Sequence, residues 1–329
     1  MAFENLLKKI KGKAKLVDEY MLTNLAGDIK ELYDACKHLI KAGGKRLRPF
    51  LVLTTYNLFC DDIEKVLPVA AAVELFHTFT LIHDDIMDQD EFRRGVPTVH
   101  TVWGVPMAIL AGDLLHAKAY ELVAKSNLPS EIIKRIIEEF TETAVIICEG
   151  QALDMAFEKR KDVSIEEYFE MIKKKTAWLF RTCCRFGAMS ASAEEKYINI
   201  LGEYGEKMGI AFQMVDDWLG LFGSEEKTGK PVGSDVREGK KTYPILYALE
   251  KANEEDRKKL LDILMKEQKT EREIQEAIEI IKKTGADIAT KELAMKYAEE
   301  AISVIRELPD SEAKADLITL AKFVIERSF

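Results

Sequence analysis

Apolar residues recur along most of this chain at intervals of three and four positions, the repeat of one face of an α-helix. That period predicts long helices at roughly residues 15–42, 46–60, 64–90, 105–125, 130–158, 164–190 and 194–222. Pro129-Ser130 ahead of Glu131, and Ser164 three residues before Glu167, have the form of helix starts, the second with capping-box spacing. Residues 1–15 read as an ordinary amphipathic first helix, and the charged helices beyond Glu250 as support. No run alternates as a half-buried strand does. The expected fold is all-α: a single large helical bundle over residues 1–329, with ligands projecting inward from facing helices into a central cavity.

Two places break the apolar pattern with acids. Asp84-Asp85-Ile86-Met87-Asp88 follows residues 73–82, a nearly continuous apolar run, and Asp216-Asp217 interrupts the helical repeat of Phe212, Val215, Trp218, Leu219 and Phe222. At about 100° per residue, His77, Thr80, Asp84 and Asp88 share one narrow stripe. Two carboxylates one turn apart repel, and burying them unpaired costs several kcal/mol. A hard divalent cation answers both problems, and Mg²⁺ characteristically takes one or two carboxylates, waters and phosphate oxygens. The alternative is a solvated acidic helix end.

Basic residues punctuate these clusters in a way that suits phosphate. Gly43-Gly44-Lys45-Arg46-Leu47-Arg48-Pro49 precedes the first and Arg93-Arg94-Gly95 follows it; Lys173-Lys174-Lys175-Thr176 lies midway; Lys230, Lys240 and Lys241 follow the second. Arg grips phosphate with a planar fork and Lys with a compact charge. Each run alone could be a solvated face. The glycines are not a P-loop, because the Gly-x-x-x-x-Gly-Lys pattern and a preceding strand are missing.

Composition narrows the class. The chain has 329 residues, 47% hydrophobic and 32% charged, enough for a sizeable core. Its formal net charge of -9 argues against a nucleic-acid partner. Cys36, Cys60, Cys148, Cys183 and Cys184 show no Cys-x-x-Cys pattern, so buried thiols in a reducing, cytoplasmic setting are expected. Neither a signal-type start nor an apolar stretch of about 18 residues is seen, so no membrane span is expected.

In order and spacing these motifs resemble those of the trans-isoprenyl diphosphate synthases, or polyprenyl synthetases, across residues 43–244. The resemblance implies head-to-tail condensation of isopentenyl diphosphate with an allylic diphosphate in a homodimer or higher homo-oligomer, with three Mg²⁺ ions. It implies that Asp84 and Asp88 hold two of the ions and Asp216 the third, with Asp85 auxiliary and with Asp217 and Lys175 also in the catalytic set. Arg93, Lys175, Gln213, Lys230 and Lys240 would grip the allylic diphosphate, with Thr176 assisting Lys175. Lys45, Arg48, His77 and Arg94 would hold isopentenyl diphosphate. His77 could equally be a hydrogen-bonded core residue, and residues 224–242 either a surface connection or a lid. One departure stands out: the family's second motif usually ends in a third Asp, and here that position is Gly220.

Product length follows from the same resemblance. The positions four and five before the first Asp act as the cavity floor in the family; here they are Thr80 and Phe79, with Phe76 a turn deeper. The region is similar to archaeal-type geranylgeranyl diphosphate synthases, which implies mainly geranylgeranyl diphosphate with some farnesyl diphosphate. A class I terpene cyclase would not need Lys45, Arg48 and His77, and a silent regulatory subunit would not keep the first acidic cluster.

Overall fold

The computed structural model describes residues 2–223 and 232–326. The fold is all-α, in chain order α1 (Ala2–Asn24), α2 (Lys30–Lys41), α3 (Leu47–Tyr56), α4 (Leu67–Met87), α5 (Val99–Trp103), α6 (Val105–Ala124), α7 (Ser130–Glu158), α8 (Ile165–Ile172), α9 (Trp178–Ser190), α10 (Glu195–Phe222), α11 (Ser234–Glu238), α12 (Tyr243–Lys251), α13 (Glu254–Leu264), α14 (Glu271–Lys283), α15 (Ala286–Val304) and α16 (Glu312–Glu326). Residues 224–231, with Lys230 and the first part of the expected lid, lie outside the described residues.

Three departures from the periodicity have physical causes. The helix expected over 15–42 is two helices, since α1 starts at Ala2 and the chain breaks at residues 25–29, where Gly27-Asp28 weakens helix propensity. A hairpin appears where no strand was expected: β1 (Phe92–Arg93) pairs antiparallel with β2 (Val96–Pro97). Its turn residues Arg94 and Gly95 have φ of 55° and 77°, the left-handed pair that a two-residue hairpin turn demands. The helix expected over 164–190 is continuous but contains a π-turn at Lys173–Ala177, where the N–H of Trp178 reaches the carbonyl of Lys173. The capping box at Ser164 and Glu167 is present.

The backbone sorts into two compact units, Met1–Thr141 with Thr182–Gly202 and Leu308–Thr319, and Glu142–Arg181 with Glu203–Glu307 and Leu320–Phe329. In the first, α4 is buried nearly all round and Phe76, Phe140 and Phe186 stack through the core with centroids 4.9 and 5.3 Å apart. In the second, Phe180 packs on Phe212 and Phe169 on Tyr243 and Tyr297. The cysteines form no disulfide; Cys36, Cys183 and Cys184 are buried as expected, but Cys148 is exposed, because it lies on the outer side of α7. No described helix is long and apolar enough to cross a membrane.

Candidate active site

In the first unit, α4 ends sooner than its apolar pattern suggests, and that ending builds an acidic centre. Asp84 and Asp85 occupy the last turn and Asp88 is the C-cap, its N–H reaching the carbonyl of Asp84 at 2.8 Å. Three carboxylates thus stand at the negative end of the helix dipole, where cations are favoured and anions are not. Arg93 answers part of this charge. Its Nε donates to Asp85 Oδ1, and its Nη2 lies 3.7 Å from Asp84 and 3.6 Å from Asp90. Burial pushes the Asp85 carboxyl up to about 6, against the pull of Arg93, with Asp90 and Asp84 adding to the rise. Asp85 is fully buried, and its Oδ2 has no hydrogen-bond partner among the described residues; Asp84 and Asp88 are partly exposed.

This donor set fits a hard cation. All the ligands offered are carboxylate oxygens, one buried oxygen lacks a protein donor, and no three His, Cys, Asp or Glu side chains among the described residues converge as a ready-made cage. A cation that completes its shell with water and phosphate oxygens suits such a set; one that needs a closed protein cage does not.

The basic loop of the same unit divides its labour. Lys45 is exposed, whereas Arg46 is 3% exposed and faces inward. Arg46 Nε lies 2.7 Å from Asp18 Oδ1, Nη1 2.8 Å from Glu74 Oε1 and Nη2 2.8 Å from the carbonyl of Ile40. Arg94 donates to the carbonyls of Leu39 and Gly43 and lies 3.9 Å from Glu74. Arg48 Nη1 donates to His77 Nε2 at 3.0 Å. Burial holds His77 well below the usual imidazole value, and the charges of Arg48, Arg94, Arg93 and Arg46 push it further. Because an arginine can only donate, the neutral ring carries its proton on Nδ1.

At the expected floor, Phe76 is fully buried and meets Phe79 edge-on with centroids 5.1 Å apart. Phe79 also packs on His116 of α6 at 4.8 Å, and the hydroxyl of Thr80 donates to the carbonyl of His77.

In the second unit a cavity of about 190 Å³ is lined by Asp154, Lys175, Gln213, Asp216, Asp235 and Lys240, among others. Asp217 stands at its edge as an anchored acid. Its Oδ2 accepts from the hydroxyl of Tyr168 and the N–H of Tyr243, and its Oδ1 from Gln213 Nε2 at 2.8 Å. Burial raises Asp217 to about 6 against these donors, with Asp216 adding to the rise. The hydroxyl of Thr176 donates to Gln213 Oε1, extending the chain into the π-turn. Lys175 and Lys240 both meet Asp154, at 2.6 and 3.4 Å, and Lys240 also meets Glu158. Burial alone would raise Asp154; the two lysines bring it below the ordinary carboxylate value. Lys241 is buried, its ammonium on the carbonyl of Gly239.

Three of these residues escaped the sequence reading, Glu74 in the first unit and Asp154 and Tyr168 in the second, while Arg46 and Asp235 were visible only as members of their motifs, with no role of their own. Lone acids on apolar stripes of α4 and α7 were the available signal for Glu74 and Asp154. Asp235 belongs to residues 235–240, an Asp-x-x-x-Gly-Lys sequence that is one of the motifs shared with the trans-isoprenyl diphosphate synthases.

Comparisons with known proteins agree in direction. The polyprenyl synthetase family model matches residues 29–281. The geranylgeranyl diphosphate synthase of Sulfolobus acidocaldarius is 44% identical over 330 residues, covering 99% of this chain and 98% of that one. The short chain isoprenyl diphosphate synthase of Methanocaldococcus jannaschii is 50% identical over 281 residues, covering 85% and 82%. Among solved structures, the geranylgeranyl pyrophosphate synthetase from Pyrococcus horikoshii superposes with a TM-score of 0.94 at 45% identity, covering 99% of this chain and all of that one.

Proposed function

The chain belongs to the polyprenyl synthetase family, and we propose that it acts as a trans-prenyltransferase, joining isopentenyl diphosphate head-to-tail to allylic diphosphates and releasing mainly geranylgeranyl diphosphate, with some farnesyl diphosphate. The observation that carries this reading is the last turn of α4, three aspartates at the negative end of a helix with a buried oxygen that no described protein donor reaches.

Residues 1–329 act in this proposal as one synthase domain. Asp84 and Asp88 would hold two magnesium ions and Asp216 a third. When bound, they neutralise the diphosphate that leaves as the allylic C–O bond ionises. Arg93, Lys175, Gln213, Lys230 and Lys240 take the allylic diphosphate, and Asp217 keeps Gln213 and Thr176 in place for it. Lys45 and Arg48 take isopentenyl diphosphate, with Arg94 beside them. The neutral ring of His77 steadies the Arg48 fork and keeps its Nδ1–H as a donor. The double bond of isopentenyl diphosphate supplies the electron pair for the new C–C bond, and the departing pyrophosphate accepts the proton then lost. No side chain is asked to act as base.

A homo-oligomer is part of the proposal, supported by an apolar patch on α5 and α6, where Val102, Val105, Ile109 and Leu110 are all more than 40% exposed. So is a reducing, cytoplasmic location, which the three buried thiols suit. The test is incubation of the purified protein with labelled isopentenyl diphosphate, Mg²⁺ and each allylic primer in turn, followed by chromatography of the products. Incorporation into a twenty-carbon product is expected; release of a cyclised hydrocarbon, or no incorporation with any primer, would overturn the reading.

A further inference from the structure

We infer that Glu74 is a positioning residue for the isopentenyl diphosphate grip: through Arg46 it sets where Lys45 and Arg48 stand, although it touches no substrate itself. The inference rests on the role given above to Lys45 and Arg48.

Glu74 lies inside α4 at 2% exposure, surrounded by apolar residues. An ionised carboxylate there is costly unless it is paired, and a buried pair is often no more stabilising than a hydrophobic replacement. Stability alone therefore gives a weak account of it. What the pair does is geometric. Arg46 sits in the left-handed region, φ 49°, which a residue with a side chain adopts only under constraint. Glu74 and Asp18 bind two edges of its guanidinium, and the carbonyls of Ile40 and Gly43 take its other donors. With Arg46 pulled inward by this set of contacts, the neighbouring Lys45 is turned out to solvent.

Arg94 completes the clamp from the hairpin side, meeting Glu74 and the same Gly43 carbonyl. The loop leaves no room for more, since a Cβ on Gly44 would lie 2.9 Å from both Arg46 Nη1 and Arg94 Cζ. One turn further along α4, His77 holds Arg48. Glu74–Arg46 and His77–Arg48 are thus two rungs between α4 and the basic loop. The rung that meets no ligand fixes the register of the rung that does.

The test compares Glu74→Gln and Arg46→Lys with the parent chain, reading KM for isopentenyl diphosphate, KM for the allylic diphosphate, kcat and Tm. Both substitutions keep shape or charge and loosen the fork. The expected result is a rise in the isopentenyl KM of about tenfold, with the allylic KM and kcat within about twofold. Titration calorimetry with isopentenyl diphosphate should show the same loss without turnover. The double variant should be no worse than the poorer single one, because the two residues act as a unit. Should Glu74→Gln fail to fold, Arg46→Lys carries the test, and Asp18→Asn, at the partly exposed end of the same fork, is expected to move the isopentenyl KM in the same direction by less. A merely structural pair would lower Tm and leave both KM values alone or raise them equally, and that result overturns the inference. Lys45→Ala, run alongside, separates the two levels. If it leaves the isopentenyl KM unchanged, the reading of the pocket fails; if it raises that KM while Glu74→Gln does not, only the positioning role fails.

Discussion

The carboxylate of Asp235 lies against the α-carbon of Gly220, so that a Cβ at 220 would stand 2.7 Å from both of its oxygens. The N–H of Gly233 also bonds to the carbonyl of Gly220 at 3.0 Å, so the turn that carries Asp235 is seated on this glycine. The missing third acid of the second motif thus has a structural counterpart: an acid from α11 stands beside Gly220, which lies one turn beyond Asp216 on α10, and it lines the same cavity as Asp216.

Restoring the family residue should therefore harm this chain. Gly220→Asp forces two carboxylates into one space and is expected to destabilise the protein by about 2 kcal/mol or more, the range for overpacking with an added like charge. Turnover should fall with it. Gly220→Asp combined with Asp235→Ala should recover most of the lost Tm, and a single variant with unchanged Tm would show that the turn moves aside freely.

Asp84→Ala or Asp88→Ala should lower turnover roughly 100-fold or more, the scale of removing a preorganised stabiliser of developing charge. The metal-free protein should not lose stability, because each change takes an anion away from the negative end of α4. Steady-state kinetics at saturating Mg²⁺ and a thermal melt in chelator check the two halves. Near-normal turnover would remove these acids from the chemistry.

Product length should answer to the aromatic contacts between α4 and α6. Thr80→Phe adds a ring above Phe76 and should shorten the main product to fifteen carbons. Phe79→Ala removes the ring that packs on Phe76 and His116 and should lengthen it. Chromatography of the products decides, and an unchanged distribution in both variants would place the floor elsewhere.

Lys241 gives a pH signature. Burial brings its ammonium from 10.5 down to about 8. Below pH 8 it is charged in folded and unfolded chains alike, and the folded state bears the full cost of the buried charge. Between about 8 and 10.5 the unfolded chain holds more protons than the folded one, so this group's contribution to stability rises with pH. Lys241→Met should thus be most favourable relative to the parent near pH 7. Its advantage should shrink by something on the order of 2 kcal/mol by pH 10, measured by denaturant titration at each pH. A difference that stays flat with pH would mean the ammonium is not desolvated.

The sequence makes some elements legible and hides others. Helices α6, α7 and α10 follow their apolar repeat to within a residue or so, because each is long and bounded by a Pro, a Gly or a polar start. The break at residues 25–29 was hidden because Leu25 is buried and continues the apolar period through it. Two-residue strands are too short to alternate, so the hairpin that aims Arg93 at Asp85 left no pattern. Motif residues were visible as interruptions, but their partners were not. Glu74 sat unremarked inside an apolar run, and Tyr168 and Asp154 gain meaning only from side chains dozens of residues away.

Asp154 pairs with both Lys175 and Lys240, and if these lysines take the allylic diphosphate as proposed, that pairing has a consequence for which anions can compete. An incoming anion must displace a carboxylate that is already desolvated and in place, so its gain is the difference between two ion pairs rather than the whole of one. A small anion that brings no cations gains little from that exchange, and inorganic phosphate should accordingly be a poor inhibitor. A polyanion that arrives with its own cations wins it, offering positive charge to the acids while it takes the lysines.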